Sequence, residues 1–332
     1  MTLFSALPST ATALGVALVL ALAPAPVRAA QPGAVPVADV PSPPRGAFAA
    51  PRRERTFAAQ VMLDRLRFSP GAIDGRPGGN TTKAVRAFQQ ARALPVDGRI
   101  DEELVAQLRA AAPGPVLRRY KIAQPDVSGP FAPRIPDGLA AQAELERLAY
   151  TGPVELLAEK FHMTRAVLRA LNPDADFAVA GTEIVVAATR DGGLPGQVLR
   201  IEVDKAAGAV RAYAEDGELL AAYPATIGSR SLPSPSGQTE VRAVAPDPAY
   251  YFDPKRLSWG PDRRLTIAPG PNNPVGAAWI DLAKDGYGIH GTPEPRLIGK
   301  TASHGCVRLT NWDVEELAAA VERGAAVAFV GG

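Results

Sequence analysis

Apolar positions along this chain recur with two periods, and the period changes near residue 197. Upstream the spacing is helical. Ala59, Leu63 and Leu66 fall at i, i+4 and i+7, one face of a predicted helix. Val85 and Phe88 share a face in a second helix that Thr81 would cap, and Leu104 and Leu108 share one in a third that Asp101 would cap. Glycine- and proline-rich turns at 69–71, 74–80 and 95–98 separate them. These helices make a small unit over 55–111, ordered from about Thr56. Further helices are predicted over 139–148, 154–162 and 166–171, with a strand at 183–186, so 137–190 reads as a second small module. His162, beside Phe161, reads as a surface or core histidine rather than a ligand. From Gln197 the period becomes two. Leu199, Ile201 and Val203 alternate with Arg200, Glu202 and Asp204, and strands follow at 210–214, 219–227 and 239–244. Asp216-Gly217 marks a hairpin turn. Val314, Leu317 and Val321 fall on one face of a closing helix capped by Thr310 or Asn311. The fold class expected is multidomain α+β, with a β-rich domain over 197–331.

The stretches between these units are punctuated by proline. Residues 30–54 are Pro- and Ala-rich and read as a flexible spacer, and 112–136 as a Pro-rich linker or an extended strap. An apolar run at 11–23 is too short for an ordinary membrane span, and Val27 and Ala29 fit the small-residue rule for cleavage after Ala29. No Lys or Arg precedes that run, so an uncleaved anchor stays open. The expectation is an exported, periplasmic or envelope-associated protein.

Composition removes several classes of function. With 36 Lys+Arg against 34 Asp+Glu the net charge is +2, which gives no electrostatic case for nucleic acid. A single Cys cannot form an internal disulfide or a Cys-rich metal site. It is either small hydrophobic filling or a reactive centre.

Its surroundings favour the second. Ile289-His290-Gly291-Thr292 is followed by Ser303-His304-Gly305-Cys306-Val307-Arg308-Leu309, so two of the three His and the lone Cys fall within 17 residues. A free thiol is mostly protonated at neutral pH, its pKa being about 8.5. A neighbouring imidazole can take the proton and leave a nucleophilic thiolate, and a third group must then hold the imidazole. Gly305 lets the backbone approach closely, and its N–H and that of Cys306 could face a developing oxyanion. His290, His304 and Cys306 match no common zinc spacing, so neither metal nor cofactor is expected.

Three resemblances follow from these residues. Asp74-Gly75, Gly78, Thr81, the run Ala84-Val85-Arg86-Ala87-Phe88-Gln89, and Leu94-Pro95-Val96-Asp97-Gly98 resemble the three-helix peptidoglycan-binding domain. Pro77 replaces the aromatic usual before the middle Gly, which removes a sugar-stacking contact there. A helical bundle that binds nothing is the alternative. The two short helices, Asn172-Pro173 and the closing strand of 137–190 resemble a LysM-type glycan-binding module without its opening Gly-Asp-Thr-Leu; a plain spacer is the alternative. Residues 197–331 resemble the YkuD-type L,D-transpeptidase catalytic domain, through His290, Ser303-His304-Gly305-Cys306, Arg308, Pro235-Ser236-Gly237, the run from Pro269 to Gly276, and Thr310-Asn311-Trp312-Asp313.

The last resemblance implies an enzyme and assigns roles. Cys306 would be the nucleophile and His290 the general base, held by the Gly291 carbonyl. His304 would sit beside the thiol. Ser303 and Arg308 would brace the loop or hold a substrate carboxylate. The implied donor is a tetrapeptide stem of peptidoglycan, cleaved before its terminal D-Ala. The acyl group would pass to an amine of a second stem, a lipoprotein or a D-amino acid. The alternatives are a carboxypeptidase that resolves the same thioester with water, and a non-catalytic wall-binding protein. Loops 228–237 and 246–276, rich in Gly and Pro, are placed to cover the cleft.

Overall fold

The computed structural model describes residues 43–44, 46–48, 50–229, 232–255, 260–303 and 305–331. The expected leader at 1–29 and most of the spacer at 30–54 lie outside the described residues.

The helical unit consists of α1 (Pro51–Arg65), α2 (Gly79–Ala91) and α3 (Glu102–Ala111). α1 begins ahead of the expected Thr56, because Pro51 at its first turn has a pre-set φ and no N–H to lose. Residues 51–54 are therefore helix rather than spacer. Asp101 caps α3, accepting the Leu104 N–H at 2.9 Å. Thr81 does not cap α2. The helix starts earlier, with Gly78 at the cap position, and the buried Thr81 hydroxyl accepts from Gln60 Nε2 of α1 at 3.0 Å. Gln60 also accepts the N–H groups of Asp74 and Gly75, so one amide fastens the turn between α1 and α2. Ala59, Leu63, Val85, Phe88, Leu104 and Leu108 form the core.

The stretch 112–136 is not a free linker. It carries β1 (Leu117–Lys121) and α4 (Gln124–Ser128). α5 (Leu139–Gln142), α6 (Pro153–Lys160), α7 (Arg165–Leu171) and β2 (Glu183–Ala187) follow. β1 pairs antiparallel with β2, so the module is a two-stranded ribbon closed over α6 and α7. Asn172 ends α7 and ties it to β2: its Nδ2 donates to Val185 O at 2.7 Å and its Oδ1 accepts Val185 N at 2.6 Å. The helix expected over 139–148 stops after one turn. Further along, Leu148 bonds instead to the C-terminal domain, its N–H to Pro269 O and its carbonyl to Asn272 N, each at 2.9 Å. Tertiary pairing overrides the local helical preference there.

The C-terminal domain is built on a nine-stranded sheet. Its elements are β3 (Val198–Asp204), β4 (Ala209–Tyr213), β5 (Leu219–Pro224), β6 (Thr226–Ile227), β7 (Gly237–Pro246), β8 (Tyr250–Phe252), β9 (Leu265–Ile267), β10 (Ala278–Leu282), β11 (Gly288–His290), β12 (Val307–Arg308), α8 (Asn311–Ala320) and β13 (Val321–Val330). The order is β5-β4-β3-β13-β7-β10-β11-β12-β6, and β8 and β9 form a separate hairpin. β7 joins the two halves: Gly237–Glu240 pairs with β13 and Val241–Pro246 with β10. α8 lays Val314 and Leu317 into the sheet core. Val321 shares that core but opens β13 rather than continuing the helix. Leu199, expected inward, is exposed, and Val198, Ile201 and Val203 face the core. The β13 partner strand skips from Val321 to Ala326 at this point, and that irregularity breaks the two-residue alternation.

The three units are not beads on a string. Phe57, Val61 and Ile73 of the helical unit share a core with Leu117, Leu157, Phe161 and Leu168 of the middle module. A buried charge network joins both to the C-terminal domain. Arg190 pairs with Asp64 of α1 and with Asp313 and Glu316 of α8. Arg67 and the Tyr223 hydroxyl reach Glu316, Ser69 reaches Asp313, and His162 reaches Asp64. Burial alone would push the Asp64 carboxyl up, but Arg190 and His162 hold it well below the ordinary range.

Candidate active site

The site is built on the parallel pair β11 and β12, with Ile289 opposite Val307 and His290 opposite Arg308. Successive side chains of a strand point to opposite faces. Ile289 and Val307 go into the sheet core, 0% and 1% exposed. His290 and Arg308 therefore share the other face, with Cys306 one residue ahead of β12 on the same side. The Cys306 thiol donates to the Gly286 carbonyl at 3.7 Å, just ahead of β11, which places it beside that strand.

His290 is buried, and its Nδ1 lies 2.7 Å from the Gly291 carbonyl. A carbonyl only accepts, so Nδ1 carries the hydrogen and Nε2 keeps the basic lone pair. The Trp279 indole stacks on the ring, centroids 5.4 Å apart. Burial, and then the Arg308 charge, push the imidazole down to about 3, so it is neutral at physiological pH. Burial pushes the Cys306 thiol up, with the Gly288 backbone and Arg308 pulling the other way. The resting groups are therefore a neutral thiol and a neutral imidazole, so a thiolate forms here only if the proton leaves the sulfur.

The loop that carries the thiol is tightly held. The Ser303 hydroxyl donates to Cys306 O at 2.5 Å and accepts the Gly305 N–H at 3.2 Å. Ser234, from the 228–237 loop, donates to Gly305 O at 2.6 Å. Gly305 has φ +113°, and a Cβ there would meet the Tyr287 ring at 3.0 Å, so only glycine fits. The Gly305 N–H, one of the two donors expected to face an oxyanion, bonds the Ser303 hydroxyl in this structure, and Ser303 thereby ties the loop to itself on both sides of residue 304. His304 lies outside the described residues.

Arg308 has an unpartnered buried Nε and faces Cys306 and Tyr250. Tyr250 belongs to the β8–β9 hairpin inside the 246–276 loop, so that loop does reach the site. Sequence reasoning missed Tyr250, Trp279, Ser234 and the bonding of Asn311. Asn311 is visible in the sequence as a candidate helix cap and as part of Thr310-Asn311-Trp312-Asp313, without a role in the site. The cap is in fact Thr310, which accepts the Asp313 N–H at 3.2 Å, and Asn311 turns inward. No short motif signals such contacts, because the partners are far apart in sequence.

Comparison with known proteins places the sequence in a family. Residues 199–328 match the L,D-transpeptidase catalytic domain YkuD, and residues 52–108 the putative peptidoglycan binding domain. A putative L,D-transpeptidase YkuD of Bacillus licheniformis is 32% identical over 179 residues, 53% of this chain and 92% of that protein. The chain belongs to the YkuD L,D-transpeptidase family. A Bacillus subtilis relative of the same name is 30% identical over 174 residues, 52% of this chain and 89% of that protein. Both alignments are longer than the matched catalytic segment, so the likeness extends outside it. An L,D-transpeptidase from Mycobacterium smegmatis of solved structure is 18% identical, covering 46% of this chain and 74% of that one, with a TM-score of 0.33. The YkuD assignment rests on the sequence relatives, and it makes the chain an L,D-transpeptidase enzyme with a peptidoglycan-binding domain ahead of its catalytic domain.

Proposed function

We propose that this YkuD-family enzyme is exported and acts on peptidoglycan stem peptides with Cys306 as nucleophile. The observation that carries the reading is the His290 bond to the Gly291 carbonyl, because it leaves a neutral, basic Nε2 on the face shared with Cys306. The Cys306 sulfur attacks the carbonyl of the third residue of a tetrapeptide stem as its proton passes to His290. The C–N bond to the terminal D-Ala breaks, His290 returns the proton to the leaving amine, and a thioester remains. An acceptor amine then attacks the thioester, losing its proton to His290, and an amide and the free thiol are released. Arg308, whose buried Nε has no hydrogen-bond partner among the described residues, holds a substrate carboxylate. The apolar run at 11–23 supports export, and the helical unit supports attachment to the wall, where tethering raises local concentration.

The test is incubation of the mature protein with tetrapeptide muropeptides, followed by mass spectrometry. Loss of D-Ala with dimer formation is the expected result. Loss of D-Ala alone would make the enzyme a carboxypeptidase, and no reaction across several pH values would sink the reading. Cys306→Ala should abolish turnover.

A further inference from the structure

The middle module reaches the catalytic domain through a buried carboxylate. Glu159, at the end of α6, is 8% exposed, and its Oε2 accepts from Asn311 Nδ2 at 3.0 Å. Asn311 is itself 2% exposed and uses both ends of its amide. Nδ2 also donates to Pro271 O at 3.1 Å, and Oδ1 accepts the N–H groups of Ala277 and Thr292, each at 3.1 Å. Its hydrogen-bonding capacity is thereby filled.

The Thr292 bond matters most. The Thr292 N–H and the Gly291 carbonyl belong to one peptide group, which is planar and rigid. That carbonyl is the acceptor for His290 Nδ1. Asn311 therefore sets the orientation of the group that orients the catalytic imidazole. It sits hard against that backbone, since a Cβ on Gly291 or Gly276 would come within 2.3 Å of its Oδ1. The same module braces the neighbouring loop: Leu148 bonds Pro269 and Asn272, and Asn272 Nδ2 donates to Ala149 O at 2.9 Å.

We infer that Glu159 is a positioning residue for His290, acting through Asn311 and the Gly291–Thr292 peptide, so that the middle module is part of the catalytic apparatus. This rests on the reading of His290 as the base. Without Glu159, one buried Nδ2 hydrogen loses its acceptor, and one of the four bonds that orient the amide toward Thr292 is gone. Glu159 faces Tyr150, Glu155, Glu315 and Arg165 besides Asn311, and burial, reinforced by the two carboxylates, pushes its carboxyl up to about 8. Its acceptor role needs a side-chain oxygen, not a charge, so Gln is the conservative replacement.

The experiment compares Glu159→Leu, Glu159→Gln and Glu159→Asp in the full chain. Three readouts are taken. The first is kcat and KM on a tetrapeptide stem. The second is the rate of iodoacetamide modification by intact mass, which reads Cys306 alone because the chain has no other thiol. The third is the ¹⁵N signature of the His290 tautomer, assigned against His290→Gln. Glu159→Leu should lower kcat about ten- to hundred-fold with KM little changed, slow the alkylation, and mix the tautomers. Glu159→Gln should restore all three. Glu159→Asp, one methylene short, should fall between them and serves if the Leu variant does not fold. The inference is overturned if Leu or Asp lowers only the melting temperature, or if Gln is as damaging as Leu. Should the wild type turn over no stem peptide, the functional reading fails, while the tautomer and alkylation readouts still decide the positioning role.

Discussion

Two buried histidines in this molecule are built alike and placed to do different things. His290 and His162 each have a tryptophan stacked on the ring, at 5.4 and 5.1 Å, and each has Nδ1 held by an oxygen, at 2.7 and 2.9 Å. The difference is the oxygen. His290 faces a neutral backbone carbonyl, which fixes its tautomer and leaves the lone pair on the second nitrogen, with Cys306 on the same face of the strand pair. His162 faces the Asp64 carboxylate inside a closed network with Arg190, Asp313 and Glu316, where its bond joins the helical unit to the middle module. Under the proposed function, a ring of the same burial is a base or a rivet according to the partner it is given.

Exchanging the roles is the sharpest way to break that comparison. His290→Ala should cost about a thousand-fold or more in kcat with little change in melting temperature. His162→Ala should do the reverse, leaving kcat near wild type and destabilising the fold by about 2–3 kcal/mol through loss of a bond to a charged group. Equal loss of kcat in both would show that the junction is catalytic as well. Asp64→Ala takes one of three carboxylates from buried Arg190 and the acceptor from His162, and should destabilise by about 3–5 kcal/mol, read by chemical denaturation.

Two buried carboxylates extend the comparison to pH. Asp64 is held below its unfolded value, so its contribution to stability is present above about pH 4 and is lost as pH falls through the native value. Glu159 is raised to about 8, so its contribution is present below about pH 4.5 and is lost as pH rises toward 8. Glu159→Gln should therefore flatten the stability profile between pH 4.5 and 8, and Asp64→Asn should flatten it on the acid side, although at lower stability throughout. A Glu159→Gln profile with the wild-type slope would contradict the environment described for that residue. The smallest effect belongs to Leu199→Ser. Because Leu199 is exposed despite its place in the alternation, the change should stay within about 0.5 kcal/mol.

Much of the architecture is local and was readable. The helical face of Ala59 and Leu63, the Asp101 cap, the Asp216-Gly217 hairpin and the inward Val314 and Leu317 depend on spacing and turn chemistry within a few residues. So does the grouping of His290 with Ser303, Gly305 and Cys306 near one another in the chain. Apart from the start of α1, set locally by Pro51, the errors have distant partners. Thr81 spends its hydroxyl on Gln60, Leu148 pairs with Pro269, and β1 appears in the proline-rich stretch because β2 completes it.

The sequence by itself determined which groups are available for chemistry: one thiol, two nearby imidazoles and the glycines that let the backbone close on them. Tertiary structure decided how those groups are used. It gave His290 a carbonyl and His162 a carboxylate, committed the Gly305 N–H to Ser303, and brought Glu159 onto Asn311 from 152 residues away. The physical reason is that burial and partner choice set tautomer, protonation and orientation, and both are properties of the packed fold rather than of neighbours along the chain.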